Sequence, residues 1–357
     1  MPSSYEVSRS RNEAPPQYGV APETQESSLK TASDRGLFVI SLDFELHWGM
    51  FDKLSVRAYR NNLLGERRVV PALLKLFAQY GIHATWATVG LLFFESKSEL
   101  LRSLPQKQPH YARRELSAYG YLPEIGESER DDPFHYAPSL IRQVAAAKNQ
   151  EIGTHTFSHY YCLERGQDEE SFRADLDAAL RVARDKYGID IRSIVFPRNQ
   201  VERNRLLVCR DLGVRAYRDN PTSWLYAARS SEDETTARRG VRLLDAYLPI
   251  SGTNAHELGK PAGTLPSNVP ASRFLRPYWP RLRALEPLRF RRIVNDLTRA
   301  AEKKQLYHLW WHPHDFGAHP KENLAFLTRI LERFAVLRRH HGMESVGMLE
   351  VAELLKT

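Results

Sequence analysis

"GLFVISLDFEL" (Gly36–Leu46) is where order begins in this 357-residue chain. Leu37 to Leu42 is a short apolar run, the pattern of a buried strand. The run ends on two carboxylates, Asp43 and Glu45. Residues two apart in an extended strand share a face, so both acids should point the same way. "ERRVVPALLKLFAQYG" (66–81) follows. Val69, Val70, Leu73, Leu74, Leu76 and Phe77 form one broad apolar face, which predicts a helix, and Gly81 is placed to stop it. "IHATWATVG" (82–90) is β-branched and aromatic, so a second strand is expected before Gly90. Strand, helix, strand is the repeating unit of a parallel sheet.

The alternation recurs. Helical patterns near 137–148, 169–187 and 200–211 lead into "EIGTHTFSH" (151–159), "IRSIVF" (191–196) and "VRAY" (214–217). "QLYHLWWHP" (305–313) reads as another strand, 321–339 as a helix and 346–356 as a closing segment. The predicted class is therefore α/β, with a parallel sheet or barrel. Two stretches break the rhythm: 92–135, which runs into "DDPFHYAP" (131–138), and 219–285, rich in Pro, Gly and Ser. Both read as irregular insertions in one domain over 36–357. Residues 1–35 are Ser-, Pro- and Glu-rich without periodicity and read as a disordered tail.

Hydrophobic residues make up 42 % of the chain, with six Trp, 16 Tyr and 15 Phe, enough for a sizeable core. The formal charge of +8 points to anionic partners: a nucleotide-sugar, a glycolipid head group, a membrane surface or nucleic acid. Nucleic acid is set aside, because no helix-turn-helix or RNP-type aromatic strand is present. Arginines crowd into 273–299, including Arg276, Arg281, Arg283, Arg289, Arg291 and Arg292. That segment is expected to form a basic patch for an anionic head group. Two cysteines, Cys162 and Cys209, make neither a disulfide framework nor a Cys-based zinc site. No apolar run resembles a signal peptide or approaches the ~18 residues of a membrane span, and the expected location is cytoplasmic.

Three pieces carry chemistry. Asp43 and Glu45 sit at a strand's C-terminal end, which in a β/α barrel is the rim where reactions occur. In "HTFSH", His155 and His159 stand four apart, a spacing that puts two imidazoles on one face of a helical turn and within reach of one metal. No Glu follows His155, so this is not the HExxH motif. In "WWHPHDFG", His312 and His314 follow an apolar strand, and a histidine is the usual proton donor to a leaving group. His308, inside that strand, reads as structural. Two imidazoles and a carboxylate make a three-ligand zinc site with an open fourth position, suited to amide or ester hydrolysis; the same set also suits non-haem iron.

With "SLDFEL", "ATWATVG", "HTFSH", "FPRNQ" and "WWHPHDFG" in this order, the chain resembles the polysaccharide deacetylase superfamily (NodB homology, carbohydrate esterase family 4). The resemblance runs from about Leu37 to the C-terminus and implies a distorted, incomplete (β/α) barrel. It implies a metal-dependent hydrolase of non-peptide carbon–nitrogen bonds, acting on an N-acetylated sugar, nucleotide-sugar or glycolipid. One divalent ion is implied, zinc foremost, with iron, cobalt or nickel as alternatives. His155 and His159 would hold it together with Glu45 or Asp43, the other carboxylate being the base, and Glu45 is the ligand of first choice. Asp43 would then be the base, oriented by Arg198, and His312 the acid, with His314 as alternative. The sequence departs from the family pattern in two places. Phe44 stands where a second adjacent Asp is usual, so the chain resembles an Asp-x-Glu branch that includes non-sugar amide hydrolases. Pro197 also precedes Arg198 in an altered motif. An allantoinase-like cyclic-amide hydrolase and a non-catalytic carbohydrate-binding barrel are the alternatives.

Overall fold

The computed structural model describes residues 34–230, 232–259 and 263–356, so the disordered-tail expectation for 1–35 falls outside them except at Asp34 and Arg35. Among the described residues the strands are β1 (Leu37–Phe44), β2 (Ala84–Thr88), β3 (Gln150–Thr154), β4 (Ser193–Val195), β5 (Ala216–Arg218), β6 (Ser267–Asn268), β7 (Arg273–Phe274), β8 (Leu306–Trp311) and β9 (Glu344–Val346). They form one sheet in the order β6-β5-β4-β3-β2-β1-β8-β7, with β9 beside the start of β1. Every pairing is parallel. β1 lies between β2 and β8 and is buried at all its positions, which is why its sequence is a continuous apolar run rather than an alternation.

The connections are helices packed outside the sheet. The first is Val56–Tyr80, which begins ten residues before the expected Glu66. Ser55 caps it by accepting from the Ala58 amide, and Gly81 ends it at φ 61°. Helices Pro138–Ala146, Glu169–Tyr187, Arg203–Asp211, Glu286–Glu302 and Pro320–His341 cover the other crossovers.

The sheet is curled into an incomplete barrel. Asn268 pairs with β5 at one end of the strand order, and Arg273 pairs with β8 at the other. Five residues span at most about 18 Å, so the two edges lie close together. The chain between them bridges the gap. The Val269 amide donates to Tyr217 of β5 at 2.9 Å, and the Ser272 and Leu275 amides donate to His308 and Trp310 of β8 at 2.8 and 2.7 Å. Thus the last part of 219–285 belongs to the sheet and is not an insertion.

Alternation along β1 sorts its side chains. Phe38, Ile40, Leu42 and Phe44 face the helices. Leu37 and Val39 face the barrel interior with Ala87, Val195, Ala216, Leu306 and Val346, floored by Met348 and Val351 of the closing helix Met348–Leu354. Higher in the interior the residues become polar: Ser41, His308, Asp43 and Arg218, all buried.

The expected basic patch over 273–299 is divided: Arg281, Arg283, Arg291 and Arg299 are exposed, whereas three other arginines of the segment turn into the fold. Arg273, Arg289 and Arg292 are buried. Arg273 and Arg292 each donate to Asp296 at 2.9 Å and flank Asp245, while Arg289 pairs with Glu286 and lies over Phe326. A buried guanidinium needs such partners, so these charges are spent on packing. No helix among the described residues is long and apolar enough to cross a membrane.

Candidate functional site

His155 leaves β3 with its amide still bonded to Thr88 O of β2 at 2.9 Å. Beyond it the chain does not coil into the expected helical turn. Thr156 and His159 both take left-handed backbone, φ 64° and 58°, so residues 155–159 form a tight loop. The small polar residues between the histidines hold it. Thr156 Oγ1 accepts from the Tyr160 amide at 2.7 Å. The buried Asp175 of helix Glu169–Tyr187 accepts from the Phe157 and Ser158 amides at 2.7 and 3.2 Å, from the Ser158 hydroxyl, and from Tyr119 at 3.1 Å. Gly90 packs against the loop so closely that a Cβ there would lie 2.8 Å from Phe157 Cα.

The loop aims both imidazoles at Glu45, just beyond β1. His155 Nε2 lies 3.2 Å and His159 Nε2 3.1 Å from the same oxygen, Glu45 Oε2. The far side of each ring is engaged too. His155 Nδ1 donates to Val195 O at 2.8 Å, and His159 Nδ1 meets the Tyr161 hydroxyl at 3.1 Å. The carbonyl contact leaves the His155 Nε2 lone pair facing inward, and the Tyr161 hydroxyl fixes the orientation of the His159 ring, as expected of histidines poised to ligate a metal. Burial pushes His159 down to about 4 against the pull of Glu45, so its ring is neutral at ordinary pH. Burial works to raise Glu45, yet His312 and the ring nitrogens of His155 and His159 hold it well below the usual carboxylate range. Gly49 makes room for that carboxylate, since a Cβ there would sit 1.8 Å from Glu45 Oε1.

Asp43, the last inward-facing residue of β1, is not held by Arg198. Arg218, at the end of β5, reaches across the barrel interior with both arms, 2.6 Å to Oδ1 and 2.8 Å to Oδ2. Its nitrogens also donate to Ser41 Oγ at 2.9 Å and to Asn199 Oδ1 at 2.8 Å. Burial works to raise Asp43, and the guanidinium overrides it and keeps the acid ionised. Arg198 pairs instead with Asp52 and stacks 4.0 Å over Tyr161, behind His159. "FPRNQ" therefore reaches Asp43 only through Asn199. The signal missed in the sequence was one residue past "VRAY": a charge ending an apolar strand, on its inward phase.

"WWHPHDFG" is seated on helix Val56–Tyr80, where Gly65 and Gly317 touch: a Cβ on Gly65 would lie 2.0 Å from Gly317 O. Asn62 donates to His314 O at 3.1 Å, and Tyr59 donates to Asp315 Oδ1 at 3.2 Å. His312 Nε2 stands 3.8 Å from both Asp43 Oδ2 and Glu45 Oε1, with Nδ1 on Asp315 Oδ2 at 3.0 Å. Its side chain is 25 % exposed, whereas that of His314 is 2 % exposed. Burial opposes charge on His312, but Glu45 and Asp315 outweigh it and lift it to about 9. Burial lowers His314. Among the described residues, two groups have ligand atoms within 4.8 Å of one another: Glu45 with His155 and His159, and Glu45 with His312 and His314. The first converges on one carboxylate oxygen at hydrogen-bond distance and fits a divalent ion. In the second, His312 favours its protonated form.

Residues 49–217 match the family model described as polysaccharide deacetylase. The match starts after Asp43 and Glu45 and ends before Arg218. No curated protein matches the sequence. Solved structures share the fold. A Mycobacterium smegmatis protein assigned as a polysaccharide deacetylase gives a TM-score of 0.55 at 14 % identity, over 91 % of each chain. A Pseudomonas aeruginosa PAO1 protein assigned likewise gives 0.53 at 12 %, over 94 % of this chain and 97 % of that one. The Puue allantoinase gives 0.53 at 13 %, over 95 % and 97 %. The family model and the half-barrel agree with the resemblance carried by the motifs.

Proposed function

We propose that this chain, with its polysaccharide deacetylase domain over 49–217, is a metal-dependent hydrolase that removes the acetyl group from an N-acetylated sugar. The observation that carries this reading is the convergence of His155 Nε2 and His159 Nε2 on Glu45 Oε2, at 3.2 and 3.1 Å, with both outer ring nitrogens tied down. A divalent ion held by those three residues would supply Lewis acidity toward a water and the acyl carbonyl. Asp43, kept ionised by Arg218, takes the proton from that water. His312 faces the open cleft with a proton to give and delivers it to the leaving nitrogen. His314 is buried with its pKa lowered, which favours His312 as the acid.

The test is metal content together with acetate release. The native protein should carry about one equivalent of zinc or a similar ion, and His155→Ala should lose both ion and activity. Asp43→Asn should keep the ion and lose turnover. Full metal content in the His155→Ala, His159→Ala double variant would refute the ligand set. Hydrolysis of allantoin without acetate release from any N-acetyl sugar would replace the substrate class.

A further inference from the structure

A cleft of about 440 Å³ opens beside His312. Six cationic side chains line it: Lys53, Arg198, Arg229, Arg239, Arg242 and Arg276. Only one carboxylate, Glu234, lines it with them, and Glu234 is taken by Arg242 at 2.8 Å. Arg198 is paired with Asp52. Among the described residues Lys53, Arg229, Arg239 and Arg276 form no ion pair, although Asp52 and Glu45 attract Lys53 and Asp315 attracts Arg276 from farther off. They come from three stretches of chain, with Arg229 and Arg239 in the segment 226–242, so the fold brings Lys53 and Arg276 to a segment that is itself rich in arginine. The remaining wall mixes Asn199, Gln200, Asn220 and small residues with the aromatic rings of Tyr226, Phe274 and Trp310. Phe274 and Trp310 lie 4.7 Å apart by ring centroids, and Phe274 is 5.6 Å from His312.

Like charges gathered in a cleft repel one another and raise the potential there, a cost that a bound anion relieves. Four unpaired cations exceed what one carboxylate would neutralise, and guanidinium forks match phosphate oxygens. Aromatic rings in the wall suit the apolar face of a sugar ring. We propose that this cleft binds the phosphate or pyrophosphate ester of an N-acyl sugar, with the ring against Trp310 and Phe274 and the amide directed to His312. The proposal rests on the hydrolase reading for the amide, but the anion site stands on its own lining. It also moves the expected anion contact away from 273–299, of which Arg276 alone lines the cleft.

The experiment titrates inorganic pyrophosphate calorimetrically into the native protein and the Arg239→Ala, Arg276→Ala variant, with thermal melting to verify folding. Both side chains are at least partly exposed, so the variant should fold. Native binding should weaken with added salt, and the variant should lose about a hundredfold in affinity, about tenfold per cation. A parallel arm compares KM for N-acetylglucosamine 1-phosphate and for N-acetylglucosamine, where the preference for the phosphate should shrink in the variant. A third arm sediments the protein with phosphatidylcholine vesicles with and without phosphatidic acid. Capture only by the acidic vesicles places the phosphate on a lipid; tight binding of the soluble ester without capture places it on a soluble carrier. No binding in any arm, equal binding by the variant, or equal affinity for glucuronate would overturn the proposal. Pyrophosphate binding without acetate release from either sugar would keep the anion site and sink the hydrolase reading.

Discussion

Arg218 grips Asp43 across the barrel interior with two hydrogen bonds of 2.6 and 2.8 Å, while the arginine of the sequence motif, Arg198, is turned to Asp52. Both members of the Arg218–Asp43 pair are buried, so removing one strands the other. Arg218→Met should cost about 3–5 kcal/mol of stability. It should also lower activity by about 10²-fold, as Asp43 loses its orientation. Adding Asp43→Ala to Arg218→Met should restore much of the stability and none of the activity. Urea unfolding of Arg218→Met, Asp43→Ala and the double variant reads this directly; independent, additive losses would refute the pairing.

Gly49 predicts a second effect through Glu45. A methyl at this position would lie 1.8 Å from Oε1 and 2.0 Å from Cδ of Glu45, so the carboxylate has to swing away. Gly49→Ala should weaken zinc binding by about 10–100-fold or more, the usual effect of disturbing a ligand's support. A zinc titration checks it. Native affinity in a folded Gly49→Ala protein would mean that Glu45 is not a ligand.

Glu66 predicts a pH effect on stability. It is fully buried on helix Val56–Tyr80, and neither carboxyl oxygen has a hydrogen-bond partner among the described residues. Burial first, and the nearby Glu45 second, raise its pKa well above the usual value. The folded chain thus holds this proton more tightly than the unfolded chain. The resulting stability is fully present below the unfolded value of about 4.3 and is lost as pH rises toward the folded one. Glu66→Gln should flatten that decline. Urea midpoints measured across acid to neutral pH should show a shallower slope than native, and parallel slopes would contradict the assignment.

Much of this arrangement was legible locally. The apolar run ending at Asp43, the stop at Gly81 and the two imidazoles of "HTFSH" each follow from residues near in sequence. What was not legible depends on distant partners. Arg218 meets Asp43 across 175 positions, and nothing near "VRAYR" names that partner. Arg273 and Arg292 look like part of a surface patch until Asp245 and Asp296 are brought against them. The four-residue histidine spacing fits a helical turn equally well. The left-handed Thr156 and His159 are stabilised by Asp175, which belongs to the next helix.

His312 predicts the alkaline limb of activity. Its proton is held by Glu45 and by Asp315, whose carboxylate accepts from Nδ1 at 3.0 Å, and together they outweigh burial and lift it to about 9. The acid works only while protonated, so kcat should fall as pH rises through this range. A bound cation neutralises part of Glu45's charge and moves the limb below 9. Asp315→Asn removes the other source of attraction and should move the limb lower still, with less activity at neutral pH and a smaller loss under acid conditions. His312→Ala should abolish the limb and slow the reaction by about 10²–10⁴-fold, the contribution of one general acid. These pH–rate profiles separate His312 from His314. If the alkaline limb survives His312→Ala and vanishes in His314→Ala, the proton comes from the buried ring.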